Sequence, residues 1–183
     1  MANCTSFENS RGQPLHRFKS CTRRQAQDMN INIKDKLVLI TGMVVFQKNK
    51  NIERWLVVKK DENSDWELPT ANVRRVESSV RAAIRTMQEM GGMRAQVMAE
   101  AGRFGGSTVV NGKTVPLRYI FYLMKYRDEA GELIGFNQME WFDYAGAVRK
   151  LKSKRDRAII KTAREELRTL RKTDEGKEIL REK

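Results

Sequence analysis

Trp66-Glu67-Leu68-Pro69-Thr70-Ala71-Asn72-Val73-Arg74-Arg75-Val76-Glu77 runs straight into Ser78-Ser79-Val80-Arg81-Ala82-Ala83-Ile84-Arg85-Thr86-Met87-Gln88-Glu89-Met90-Gly91-Gly92-Met93. The second half has helical spacing. Val80, Ala83, Ile84, Met87 and Met90 recur at steps of three and four, which puts them on one stripe of a helix over 77–90. Ser78 or Ser79 can cap its start, and Gly91-Gly92 stops it. The first half has no such period and reads as a short strand at 66–68 followed by an irregular loop over 69–76.

Residues 68–93 resemble the Nudix box, G-x5-E-x7-R-E-U-x-E-E-x-G-U, where U is a bulky apolar residue and an LPGG-type turn leads in. Without a gap, Leu68 and Pro69 match that turn, Ala71 takes the glycine place, Glu77 the first glutamate and Arg85 the arginine. Met87 and Met93 fill the apolar places and Gly92 the late glycine. The resemblance implies that Glu77, Arg85 and Gly92 hold the geometry of the box. In the family the glutamates of R-E-U-x-E-E bind the divalent cations, and here those places read Thr86, Glu89 and Met90. Glu89 is therefore the one metal-binding and catalytic carboxylate that the resemblance assigns.

Positions 86, 89 and 90 share one helix face, because residues three and four apart project together. Three carboxylates there would suit magnesium, which takes protein carboxylates, waters and substrate phosphate oxygens. A hydroxyl, one carboxylate and a thioether do not, since the thioether of Met90 is a soft donor. The magnesium implied by the resemblance is thus opposed by the residues present. The loop changes in the same direction: the family's Lys-Val-Glu-Pro-Gly segment reads Asn72-Val73-Arg74-Arg75-Val76, basic where the family is acidic. Phosphate charge that a metal would neutralise falls instead to Arg74, Arg75 and Arg81 as substrate-binding residues.

The rest of the chain supplies a domain to carry this stretch. At 183 residues it can build one sizeable core with tails. No apolar run approaches the roughly 20 residues of a membrane span, and the start lacks the charged segment, apolar stretch and cleavage site of a secretory signal. We expect an intracellular, cytoplasmic protein with no membrane partner. Cys4, His16 and Cys21 fit no zinc spacing and read as free thiols and a lone imidazole. The formal charge of +13 comes from 36 Lys and Arg against 23 Asp and Glu. Its basic residues cluster at Arg17 to Arg24, at Arg74 to Arg85, and from Arg149 to Arg171. Such a balance attracts polyanions, a nucleotide or a nucleic acid among them.

Residues 1–35 are polar and basic, which predicts a flexible leader. Strands are predicted over 36–47 and 54–60 as a hairpin, then over 95–104, 115–127 and 138–144. A loop over 105–114 carries the turn signal Asn111-Gly112. Helices follow over 145–151 and 155–170, the latter with Ile159, Ala163, Leu167 and Leu170 on one stripe, before a charged tail over 171–183. This order resembles a Nudix-type α/β/α sandwich around a mixed sheet over 36–170. The expected function is a Nudix-like domain with a degenerate metal site that binds a nucleotide or other phosphate-bearing ligand, RNA included, with weak or no hydrolysis. The alternatives are a divergent metal-dependent pyrophosphohydrolase acting on nucleoside diphosphate derivatives and a structural subunit of a ribonucleoprotein.

Overall fold

The strongest apolar run of the chain, Met43 to Phe46, lies at the centre of a sheet covered on both faces, so it need not alternate with polar residues. The computed structural model describes residues 37–49 and 52–173. The expected leader with Cys4, His16 and Cys21, and residues 174–183 of the tail, lie outside them. β1 (Val38–Asn49) pairs antiparallel with β2 (Ile52–Lys59), with Phe46 opposite Trp55. β3 (Thr70–Asn72) pairs antiparallel with the first half of β1, and β4 (Met93–Val110) antiparallel with β5 (Lys113–Glu129). β6 (Gln138–Phe142) closes the far edge beside β2. The order is β4-β5-β1-β2-β6, and β1 and β5 run parallel from Val38 against Leu117 to Phe46 against Lys125.

Successive strand residues point to opposite faces, and the core divides accordingly. Met43, Val45, Leu56, Val58 and Met124 pack with Ala83 and Met87 of α1 (Ser79–Glu89). Val44, Phe46, Trp55, Val57, Phe121 and Leu123 pack with Ala147 of α2 (Tyr144–Lys150) and with Ile159, Ile160, Ala163 and Leu167 of α3 (Lys154–Leu170). The architecture is therefore the α/β/α sandwich. Gly42 makes this pairing possible, because a Cβ there would lie 2.2 Å from Cδ1 of the buried Phe121 ring.

Three local expectations change. Residues 105–114 form no loop: β4 and β5 continue to the two-residue turn at Asn111 and Gly112, whose φ values of 51° and 73° are the left-handed pair that a tight hairpin turn requires. Residues 66–68 contribute only a bridge between Glu67 and Val58, whereas the strand forms one step later at β3. There the open edge of β1 needs partners, and Met43 N–H donates to Pro69 O while Val73 N–H donates to Leu39 O. The stripe of α1 is also rotated. Ala82, Ala83, Thr86 and Met87 are buried, and Ile84 is 40% exposed.

Candidate functional site

The box loop is fixed at both ends. On one side β3 holds Thr70 to Asn72 against Ile40 to Gly42. On the other, Ser78 Oγ accepts from Arg81 N–H and caps α1. Between them the chain turns tightly: Glu77 N–H donates to Arg74 O at 3.1 Å, and Val76 sits in the left-handed region at φ 63°. Val76 stands in the place where the family pattern has glycine.

That turn aims Glu77 back at α1. Arg85 grips it bidentately, Nε on Oε1 at 2.7 Å and Nη2 on Oε2 at 3.0 Å, and Arg74 N–H donates to Oε2 at 3.1 Å. The Arg85 guanidinium, helped by the Arg74 backbone donor, holds the Glu77 carboxyl down at about 2. The remaining Arg85 nitrogen, Nη1, reaches Glu89 Oε2 at 3.4 Å, and Arg74 Nη2 stands 3.6 Å from the same oxygen. Arg85 thus bridges the two carboxylates, and Glu89 faces two guanidinium groups.

The neighbours of Glu89 on that face are engaged elsewhere. Thr86 is fully buried and its hydroxyl donates to Ala82 O at 2.7 Å. Met90 packs against Gly135, where any Cβ would come within 2.3 Å of the Met90 Cβ. Its carbonyl accepts from Ile134 and Gly135 N–H, so residues after β5 close the end of α1. Gly92, at φ 59°, fits the same closure, since a side chain there would meet Gly131 O at 2.6 Å. A buried hydroxyl spent on the backbone, a carboxylate flanked by arginines and a thioether do not fit a hard cation. Among the described residues no group of three or more His, Cys, Asp and Glu side chains is arranged to hold a metal ion.

A cleft of about 600 Å³ opens beside this face. Thr70, Ala71 and Asn72 form one wall, Ile40 and Tyr119 the floor on the sheet, and Met90 and Arg85 the α1 side. Lys60, Arg74, Arg85 and Arg155 bring four cations to its lining against one carboxylate, Glu67, which Lys60 pairs at 2.7 Å. Arg74 is the most available, exposed in 66% of its side chain and held only by the long contact to Glu89. Arg155 lies over the Tyr119 ring at 4.4 Å, with Nε on Oδ1 of Asp156 at 2.9 Å. Asp156 is buried, and its Oδ2 accepts from Leu68 N–H at 3.4 Å, joining α3 to the start of the box.

Of the residues chosen from sequence, Arg74, Arg85, Glu77 and Glu89 come together. Arg81 lies on the other side of Glu89, in a hollow of about 480 Å³ with Ile84 and Gln88. Arg75 is exposed and lines neither. Lys60, Tyr119 and the Arg155–Asp156 pair were not legible as site residues. The Ser153-x-x-Asp156 spacing marks a helix start, and Ser153 Oγ does accept from Asp156 N–H, but nothing in it places Asp156 beneath the box.

No protein-family model and no curated protein matches the sequence. Solved structures do. The chain is similar to a C. elegans Ap4A hydrolase solved as a binary complex, at 15% identity and TM-score 0.55 over 73% of this chain and 99% of that one. It is similar to a Nudix hydrolase from Nitrosomonas europaea, at 14% identity and TM-score 0.57 over 72% of this chain and 90% of that one. The Nudix domain of Shewanella oneidensis NrtR, solved with ADP ribose, aligns at 15% identity and TM-score 0.55 over 81% and 99% of the two chains. The fold is that of the Nudix superfamily. No helix among the described residues is long and apolar enough to cross a membrane.

Proposed function

We propose that this domain binds a nucleotide or another phosphate-bearing ligand in the cleft and hydrolyses it weakly or not at all. The observation that carries this reading is the arginine clamp on Glu89. Where a hydrolase of this fold would gather a cation, Arg74 and Arg85 approach the last carboxylate of the helix face, at 3.6 and 3.4 Å. Guanidinium groups are permanently charged and suited to phosphate, so the lining can meet phosphate oxygens without a metal. Ligands of this kind are named with similar structures: Ap4A is the compound that the C. elegans hydrolase is named for, and the NrtR domain is complexed with ADP ribose. In the proposed roles, Arg74 contacts phosphate with Lys60 and Arg155 beside it, and Arg75 and Arg81 approach from outside the cleft. Glu77, Arg85 and Gly92 hold the box, and Glu89 positions the arginines.

The test is calorimetric titration with ADP ribose and diadenosine tetraphosphate, in magnesium and again in chelator, with chromatography of the products. Binding should persist in chelator, and turnover should stay far below about 1 per second. Arg74→Ala should weaken binding roughly tenfold or more, the loss expected for one charge-assisted hydrogen bond. Binding abolished by chelator, together with turnover at ordinary enzymatic rates, would instead assign the chain to the metal-dependent pyrophosphohydrolases.

A further inference from the structure

The cleft uses one residue of α3, and the opposite side of that helix carries a separate signal. Lys154, Arg157, Lys161 and Arg168 are all exposed. At 100° per residue they fall within one narrow arc of the helix, away from the stripe of Ile159, Ile160, Ala163 and Leu167 that packs on the sheet. From Lys154 to Arg168 the row extends about 21 Å at 1.5 Å per residue. The ion pairs around it belong to other residues: Lys152 to Asp65, Arg155 to Asp156 and Arg171 to Glu53. Glu165 and Glu166 stand between Lys161 and Arg168, Glu165 bordering the row, and neither forms an ion pair with it among the described residues. Arg149 and Lys150 of α2 are exposed as well and add to the same end of the chain's charge.

We propose that this face of α3 is a docking surface for the phosphodiester backbone of a double-helical nucleic acid. Three features choose that partner. First, a straight row of four cations about 21 Å long is a strip of positive charge, and a duplex, with one negative charge per about 1.7 Å of its axis, complements it. Second, the face offers no stacking platform for unpaired bases. The rings beside α3 are covered by its own arginines, Tyr144 by Arg164 at 4.0 Å and Tyr119 by Arg155 at 4.4 Å, and Trp66 is covered by Lys59 Nζ at 5.3 Å and Lys150 Nζ at 6.0 Å. Third, the large exposed apolar side chains among the described residues are Leu37, Ile52, Val76, Ile84, Val109, Val110, Leu133 and Ile134, none of them on α3. A helix that enters a membrane surface needs an apolar face open to it, and this one has buried its own. The inference does not rest on the cleft, because none of the four residues lines it.

Fluorescence anisotropy of the full chain with a labelled duplex of about 20 base pairs, over a series of salt concentrations, tests it. RNA and DNA duplexes run in parallel distinguish the two sources of the same backbone. Replacing Lys154, Arg157, Lys161 and Arg168 together by Gln should lower the slope of log affinity against log salt by about 3 to 4, near 0.9 for each phosphate no longer neutralised. A charge-matched control replaces the exposed Lys48, Arg54, Lys113 and Arg118 by Gln and should keep most of the slope. Circular dichroism melting confirms that both variants fold. The proposal is overturned by an equal loss in the control, by a single strand that binds more tightly than the duplex, or by polyglutamate or phosphatidylserine vesicles that compete as well as the duplex does. Loss of ADP ribose binding in an Arg74→Ala chain that still binds the duplex separates the two sites.

Discussion

Val76 shows how a single residue can retain a backbone shape that its side chain opposes. Its φ of 63° places a β-branched residue where glycine is at ease, and its side chain is fully exposed, so no contact there compensates. The contacts that hold the turn are those of its neighbour: Glu77 is gripped by Arg85 and by the Arg74 N–H. The strain of a side chain in this region is about 1–2 kcal/mol, while glycine costs about 0.5–1 kcal/mol in chain entropy. Val76→Gly should therefore stabilise the protein by up to about 1.5 kcal/mol, read as a higher urea midpoint with an unchanged slope. A lower midpoint would show that the turn is not strained.

At the scale of elements, α1 separates what periodicity reveals from what it hides. The three- and four-residue spacing correctly gives a helix between the serines and the double glycine, because that pattern is local. It does not give the rotation about the axis, which is set by the sheet beneath. The helix buries Thr86, whose hydroxyl is satisfied by Ala82 O, and turns Ile84 outward. Met87→Ala should thus cost about 2–5 kcal/mol, whereas Ile84→Asp should cost under about 1 kcal/mol. Chemical denaturation of the two variants checks the order, and an unfolded Ile84→Asp chain would contradict it. Strands rich in β-branched residues were legible for the same local reason. β3 was not, because Thr70 to Asn72 is a strand only through the open edge of β1. The cleft was legible only where the box passes through it, since Leu68 and Asp156 meet across 88 positions of sequence.

For the whole molecule, the parallel pairing of β1 with β5 has a consequence for the order of assembly. β4 and β5 are neighbours in sequence and close through a two-residue turn, while β1 joins β5 across about 80 positions. A local ribbon can form in microseconds, but the distant strand must first overcome the entropy of closing a long loop. Docking of β1, with Phe121 over Gly42, is then expected as the late event, since β1 contributes to both cores. Gly112, at φ 73° with open space around it, belongs to the early ribbon. Gly112→Ala should slow refolding and leave the unfolding rate nearly unchanged in stopped-flow chevrons, a φ-value near one. If the substitution instead speeds unfolding, the ribbon forms after β1 has docked, and the molecule is assembled from its centre outward.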